Sequence, residues 1–564
     1  MDNNTKIFTF FSTFWIILCW IGFLLTLFDF FYVHFFTSYL ALGIILLLYF
    51  FFFKKNKASL NIDLKIILAI AIIFSIFFAY FTTPTIFSGR DQGSISEASI
   101  RLSQNHQLEF STPASEEFFQ IHGPGRALNF PGFHYTEEGK LTTQFPLVYT
   151  SWLAIFYSIF GLIGFKIANS ILFIIFLGSF YLLTKKITQS KISHLLSIVF
   201  ITTSFCFSWF FKFTLTENMA LALIFFGILQ FIEFTDSKNK FIPLMLSCTS
   251  LSLMIPTRIE GIAVFFMFVL LLLLQKKSRT ILLKNKLITS LSSAAILLIF
   301  TLNLIKDLSF FKEMGKALIK TDLASATKEI NILIAFLLYG IIIFLILGSI
   351  SITRLLIKKE YTKLLPLLIT LPTFIYLLNP QISSDHPWML RRFTFSVLPI
   401  LILYSVILLD KLYTKNKITL ANSIVAIILL STLPSFASFA TFSESKNLLK
   451  KTETISKNFS DNDLVLIDQQ ATGSGWTMLS GPMNFIYNKN SVYFFNINDL
   501  NEINKDRFNN IYIIIPDKNI QDYSAISKQL KYIDSYSMVT TRLDLENNLF
   551  LPHKKNNHFH WKDI

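Results

Sequence analysis

Residues 66–100 read IILAIAIIFSIFFAYFTTPTIFSGRDQGSISEASI. The first half carries no charge, and about 20 such residues in a helix cross about 30 Å of hydrocarbon. A span over 64–83 is therefore expected. Directly beyond it, Arg90, Asp91 and Glu97 open a long polar stretch. This junction decides the fold class: an apolar helix that leaves a bilayer into a charged loop, and not a buried helix of a soluble domain.

The rest of the chain repeats the pattern. Of 564 residues 53% are hydrophobic and only 15% are charged, against about 25% charged in soluble domains. Mean hydropathy is +0.54. Apolar runs predict about 13 spans, near 7–29, 36–53, 64–83, 164–184, 193–211, 214–234, 241–257, 259–275, 287–305, 331–353, 364–379, 394–413 and 418–438. Lipid offers backbone groups no partners, so the spans are helical. The first run is too long for a signal-peptide core and lacks a small-residue cleavage site, so it reads as a retained span. Cys19, Cys206 and Cys248 all lie in apolar runs and give neither a disulfide framework nor metal-ligand spacing.

A net charge of +15 suggests nucleic acid until its distribution is examined. With the N-terminus inside, the short segments holding Lys54–Lys57, Lys185–Lys191, Lys276–Lys286, Arg354–Lys363 and Lys411–Lys417 all face the cytoplasm. That is the positive-inside pattern, and it explains the basicity without nucleic acid. The expected architecture is a transmembrane domain over 1–438, with a first large outer loop over 84–163, and a small extracytoplasmic α/β domain over 439–564. The chain is expected in the plasma or inner membrane. In the tail, DLVLID and NIYIIIP read as buried strands, QDYSAISKQLKYI as a helix and QQATGSGWTMLSGP (469–482) as a tight Gly-rich turn. That turn lacks the Lys-Ser/Thr ending of a phosphate loop. Residues 306–330 read as an amphipathic surface helix. The short apolar run 145–161 reads as interfacial or re-entrant, because counting it as a span would place the later Lys-rich segments outside.

Which charges then need a reason? In this topology Asp91, Glu217 and Glu260 share the outer boundary with Arg90, Arg258, Arg391 and Arg392. Ionisable groups at such depth are costly and tend to face a polar cavity. Arginine there runs against the positive-inside bias, and its planar guanidinium suits a phosphate. A carboxylate within about 3 Å of a hydroxyl can take its proton. Each residue also has a plain reading. Asp91 and Glu97 fit a solvated loop, Glu217 fits a helix N-terminus, Glu260 fits a turn pair with Arg258, and Arg391 and Arg392 fit lipid headgroups. His122, His134 and His386 read as solvated loop residues. Paired half-helices broken at mid-membrane would mark a transporter or flippase, but these acids cluster at one edge.

The motifs GRDQG after an early span, TTQFPLVYTSWLAIFYSIFG closing a long outer loop, TEN, TRIEG and RRFTFSVLPILILY stand in order over roughly 64–410. In this the chain resembles the GT-C superfamily of membrane glycosyltransferases, within it the family 39 protein O-mannosyltransferases and the related lipid A aminoarabinose transferases. It departs in having two spans ahead of the usual first one and a single acid where two adjacent acids are usual. The resemblance implies a polyprenyl-phosphate-linked sugar donor, a hydroxyl acceptor on protein, lipid or glycan, and inversion at the anomeric carbon. It implies that Asp91 is the general base and that Glu217 is the acid of the second outer loop. It puts Arg391 or Arg392 at the lipid phosphate, and with Arg90, Glu97, Arg258 and Glu260 these make up the expected substrate-binding set. No cofactor or metal is expected, although oligosaccharyltransferases of the same superfamily use one. Such an enzyme acting on Asn is the alternative, and the tail lacks the WWDYG-like signature expected of it.

Overall fold

The computed structural model describes residues 3–53, 62–82, 87, 90–236, 241–306, 332–378, 386–471, 479–545 and 549–563. Most of the expected surface helix over 306–330 and the middle of the Gly-rich turn 469–482 lie outside these residues.

Among the described residues seven helices are long and apolar enough to cross a membrane: Thr5–Leu27, Ile62–Tyr80, Leu162–Ile187, Thr216–Asp236, Lys286–Lys306, Val397–Thr414 and Ile418–Phe439. Two bent pairs raise the number to at most nine: Glu260–Leu274 with Lys276–Lys284, bent by 89°, and Ile332–Leu338 with Ile342–Ile357, bent by 107°. The chain is an integral membrane protein, but an expectation of about 13 spans exceeds what these helices supply. The other expected spans are shorter pieces. The second helix is the exception, an apolar helix of 21 residues over Val33–Phe53 that covers the expected span 36–53. In contrast, 193–211 breaks into Lys191–Thr202 and Phe205–Phe210, 241–257 holds Phe241–Ser252, and most of 364–379 lies in Tyr361–Leu377. A helix of 12 residues is only about 18 Å long, too short to span.

Leu147–Phe160 is likewise a short helix, and most of it is buried. It reverses into Leu162–Ile187 through Gly161, whose φ of 59° only glycine adopts easily. Trp152 packs edge-on against Trp15, with ring centres 6.1 Å apart. The helix is short because protein, not lipid, encloses it.

The charged junction forms the helix Asp91–Asn105, ended by His106 in the left-handed conformation. Its serines and alanines let other elements approach closely. Ser96 Oγ lies 2.8 Å from Thr214 Oγ1, and Thr214 donates to Gln92 O at 2.9 Å. These bonds tie the start of this helix to the turn that precedes Thr216–Asp236.

The tail folds into a five-stranded mixed sheet. Its strands are β4 (Leu464–Asp468), β5 (Asn490–Phe494), β6 (Ile511–Pro516), β7 (Asp534–Asp544) and β8 (His553–Asp563), in the order β5-β4-β6-β8-β7. The three strands β1 (Gly125–Arg126), β2 (Phe133–Tyr135) and β3 (Leu141–Thr143) form a small antiparallel sheet in the first loop. DLVLID and NIYIIIP are β4 and β6, parallel neighbours inside the sheet, which is why both carry continuous apolar runs, LVLI and IYIII. The expected helix after β6 is a 3-10 helix, Asp517–Gln529.

This tail docks on the first loop. Arg101 donates to Asn484 O at 2.9 Å and to Asn484 Oδ1 at 2.6 Å, Asn129 donates to Tyr493 O at 2.7 Å, and Phe133 stacks on Phe485 at 5.4 Å. A Cβ on Gly481 would run into Glu97 Oε1. Gly481→Ala is therefore expected to destabilise the docked tail by about 1–3 kcal/mol through overpacking. Limited proteolysis of the purified protein checks this, and unchanged cleavage of the tail would contradict it.

Candidate functional site

Four segments far apart in sequence meet at one end of the helical bundle. The helix Asp91–Asn105 presents Asp91 in its first turn. The helix Thr216–Asp236 opens with Glu217. The turn ahead of Glu260–Leu274 brings Arg258 and Glu260, and the short helix Arg391–Thr394 brings Arg391 and Arg392.

Their side chains form one chain of ion pairs. Arg391 Nη1 lies 2.6 Å from Asp91 Oδ2, and its Nε lies 3.8 Å from Glu217 Oε1. Arg258 Nη1 pairs with the same Glu217 oxygen at 2.8 Å and donates to Thr216 Oγ1 at 2.8 Å. The Arg258 guanidinium also grips Glu260 with both sides of its fork, Nε at 3.2 Å and Nη2 at 2.9 Å. Arg392 Nη1 reaches Glu260 Oε1 at 3.0 Å, and the Tyr376 hydroxyl donates to that oxygen as well. Arg258 is 6% exposed and Glu217 2%, whereas the Asp91 side chain is 42% exposed. One carboxylate thus faces the solvent-accessible side while the others support it from within.

Aromatic rings carry the guanidiniums. Arg90 and Arg391 lie over Trp388 at 4.7 and 4.9 Å, Arg258 over Phe395 at 4.5 Å and Arg392 over Tyr376 at 5.4 Å. Such stacking holds the planar cations in place and leaves their edges to hydrogen-bond. Glu217 is placed by a further network: Asn169 and Asn218 both donate to Phe213 O at 2.9 Å, and Tyr149 holds Asn169 Oδ1 at 2.7 Å.

Arg258, Arg391 and Arg392 face the three carboxylates, and Arg90 interacts with a fourth acid, Glu444. Two buried donors, Arg391 Nε and Arg392 Nε, have no hydrogen-bond acceptor. Buried donors are rarely left so. An anion placed there would satisfy the open N–H groups.

Burial works to raise the Asp91 pKa, but Arg391, with Arg392 and Arg258 behind it, holds the carboxyl below its ordinary value. The Arg391 guanidinium is in turn held firmly charged: burial opposes this, and Asp91 and Glu217 prevail.

Glu97 is not part of this cluster. It is buried against Gly481 of the tail, and burial, only partly offset by Arg101, pushes its carboxyl well above the usual range. Its expected loop-surface position is corrected by the docked tail. His134 and His386, expected to be solvated, are buried, and His386 Nδ1 lies 3.1 Å from the Tyr339 hydroxyl. Trp388, Tyr376 and Thr216 were not singled out in the sequence. Trp388 had a signal, an aromatic three residues ahead of a paired arginine, whereas Tyr376 sits in an ordinary apolar run.

Among the described residues no group of three or more His, Cys, Asp or Glu is placed to hold a metal. Arg391 lies between Asp91 and Glu217, so a guanidinium fills the position of a cation bridging those acids. The residues present do not fit a metal held by this pair, and no step below runs through one.

No protein-family model and no curated protein matches the chain. Its fold is similar to the solved structure of the Archaeoglobus fulgidus oligosaccharyltransferase in the apo form, with a TM-score of 0.52 at 12% identity over 84% of this chain and 71% of that one. The same enzyme tethered through a disulfide to an acceptor peptide containing the NVT sequon gives a TM-score of 0.50 at 11% identity, over 85% of this chain and 71% of that one. The likeness shows a shared fold.

Proposed function

We propose that this chain is a membrane glycosyltransferase that moves a sugar from a polyprenyl-phosphate carrier to a hydroxyl of a protein, lipid or glycan at the outer face of the plasma or inner membrane. The observation that carries the reading is the arginine network with its two unsatisfied buried N–H donors, beside one accessible carboxylate, in a GT-C fold. The acceptor oxygen attacks the anomeric carbon and its proton passes to Asp91. The bond from that carbon to the phosphate oxygen breaks, and the polyprenyl phosphate leaves with the electron pair. Attack opposite the leaving group inverts the centre. Arg391 and Arg392 stabilise charge on the leaving phosphate as it develops. Arg258 and Glu260 hold the arginines in register, Glu217 orients the donor or acceptor, and Arg90 completes the cationic rim. Within the superfamily, the order of motifs favours the family 39 or aminoarabinose-transferase type.

The geometry couples binding to catalysis. In the free protein Arg391 is spent on Asp91, which leaves that acid a weak base. A carrier phosphate draws Arg391 away and leaves Asp91 more basic when the acceptor arrives. A general base works best when its pKa approaches the working pH.

Purified protein supplied with radiolabelled polyprenyl-phosphate sugars and hydroxyl-bearing acceptors tests the reading: product should form, and absence of transfer across the panel would overturn it. The fold likeness favours a second reading, transfer to an Asn amide, and an Asn-containing peptide labelled in preference to hydroxyl acceptors would establish that instead.

A pH prediction follows. Asp91 acts as the carboxylate, so activity is kept above its pKa and lost as pH falls through it. Because Arg391 depresses that pKa, the acid limb of kcat/KM is expected below the ordinary aspartate value of about 3.9. Arg391→Gln removes the cation and should move the limb upward. Profiles of kcat/KM for both proteins check this, and an unmoved limb would separate Asp91 from the titration.

A further inference from the structure

The helix Val397–Thr414 starts beside the arginine network, and its 18 residues carry it about 27 Å away. At that far end the helix borders a cavity of about 220 Å³. The cavity is lined by Arg354, Lys358, Glu360, Lys363, Asp410 and Lys411.

The two acids in this lining are already engaged. Both Asp410 carboxylate oxygens accept the backbone N–H of Gln189, at 3.1 and 3.2 Å, and Oδ1 also takes that of Ser190 at 2.7 Å, which caps the helix Lys191–Thr202. Glu360 pairs with Lys363 at 2.9 Å. Arg354, Lys358 and Lys411 remain. They arrive from two helices and the turn beyond one of them, and all three line the one cavity. Cations gathered around one cavity repel one another unless an anion lies between them.

We infer that this cavity binds an anionic phosphate group, held by Arg354, Lys358 and Lys411. An arginine edge and two lysine point charges suit phosphate oxygens. Basic pockets between membrane helices take lipid headgroups of this kind. On the helix that carries Arg354, Ile346, Ile350 and Ile357 are exposed, so acyl chains would find an apolar wall next to the headgroup. The site lies at the opposite end of the bundle from the proposed donor site and does not depend on that reading.

The test is native mass spectrometry of the full-length protein. The protein is first incubated with vesicles of phosphatidylcholine, with or without phosphatidylglycerol, and in parallel with inorganic phosphate. The wild type is expected to retain phosphatidylglycerol over phosphatidylcholine. Arg354→Ala combined with Lys411→Ala should weaken that retention roughly 10- to 30-fold. Lys284→Ala with Lys286→Ala, which removes the same charge from another basic segment, should leave it intact. Phosphate retained by the protein and competing with the lipid would support the cavity with free phosphate as its source. Equal loss in both double variants would reduce the effect to general surface charge and overturn the inference. So would a wild type that neither distinguishes the two lipids nor retains phosphate, a result that stands even if the Arg354 variant fails to fold.

Discussion

Asp91→Asn is expected to lower kcat for sugar transfer by roughly 10²- to 10⁴-fold, the usual loss when a general base is removed. The amide keeps the shape of the side chain but cannot take a proton from the acceptor. Because the Asp91 side chain is 42% exposed, its loss should cost the fold little. The Asn variant also frees Arg391, whose Nη1 pairs with Asp91 at 2.6 Å. Donor binding should therefore hold steady or tighten while turnover collapses. A single-turnover assay with labelled carrier separates the two effects. Full activity in Asp91→Asn would remove Asp91 as the base. Equal losses in binding and turnover would make it a binding residue.

The reason this site could be approached from sequence is the cost of charge at a membrane edge. Asp91, Glu217, Arg258, Glu260, Arg391 and Arg392 fall on one predicted face, and the structure joins those six in a single ion-pair chain. The partners of each acid were not legible. Glu260 was expected to pair with Arg258 in its own turn, as it does, but Arg392 and Tyr376 reach it across more than a hundred residues.

Glu97 shows where local reading stops. Six residues past Asp91, its surroundings in sequence are those of a polar loop, yet it is buried by the tail. Nothing in the neighbouring residues announces a domain that docks from near residue 481. The spans show a similar limit. Hydropathy reports that a helix avoids water, not whether lipid or protein covers it. Of the 18-residue apolar stretch in each helix, 94% is buried within the protein in Thr216–Asp236 and only 6% in Lys286–Lys306. Short helices such as Lys191–Thr202 are apolar as well, without the length to cross.

Arg258→Met is expected to be the most destabilising change at the site, by about 3–5 kcal/mol, the usual result of removing one partner from a buried ion pair. Arg258 touches both inner acids, Glu217 at 2.8 Å and Glu260 at 2.9 Å. Without it Glu260 still has Arg392 and Tyr376, but the only cation Glu217 keeps within 4 Å is the Nε of Arg391 at 3.8 Å, beside the Thr216 hydroxyl at 3.3 Å. The uncompensated charge is thus that of Glu217, at 2% exposure. Adding Glu217→Gln to Arg258→Met should then recover part of the loss, with a coupling of about 0.5–3 kcal/mol between the two positions. Thermal midpoints of the four proteins of this cycle in detergent measure it. Strictly additive effects would mean that the pair contributes nothing beyond its separate members. The same cycle bears on function. A bare Glu217 competes with Asp91 for Arg391, so Arg258→Met should also move the acid limb of kcat/KM upward. Unless Arg258 is what keeps Glu217 from drawing on Arg391, that limb stays where it is in the wild type.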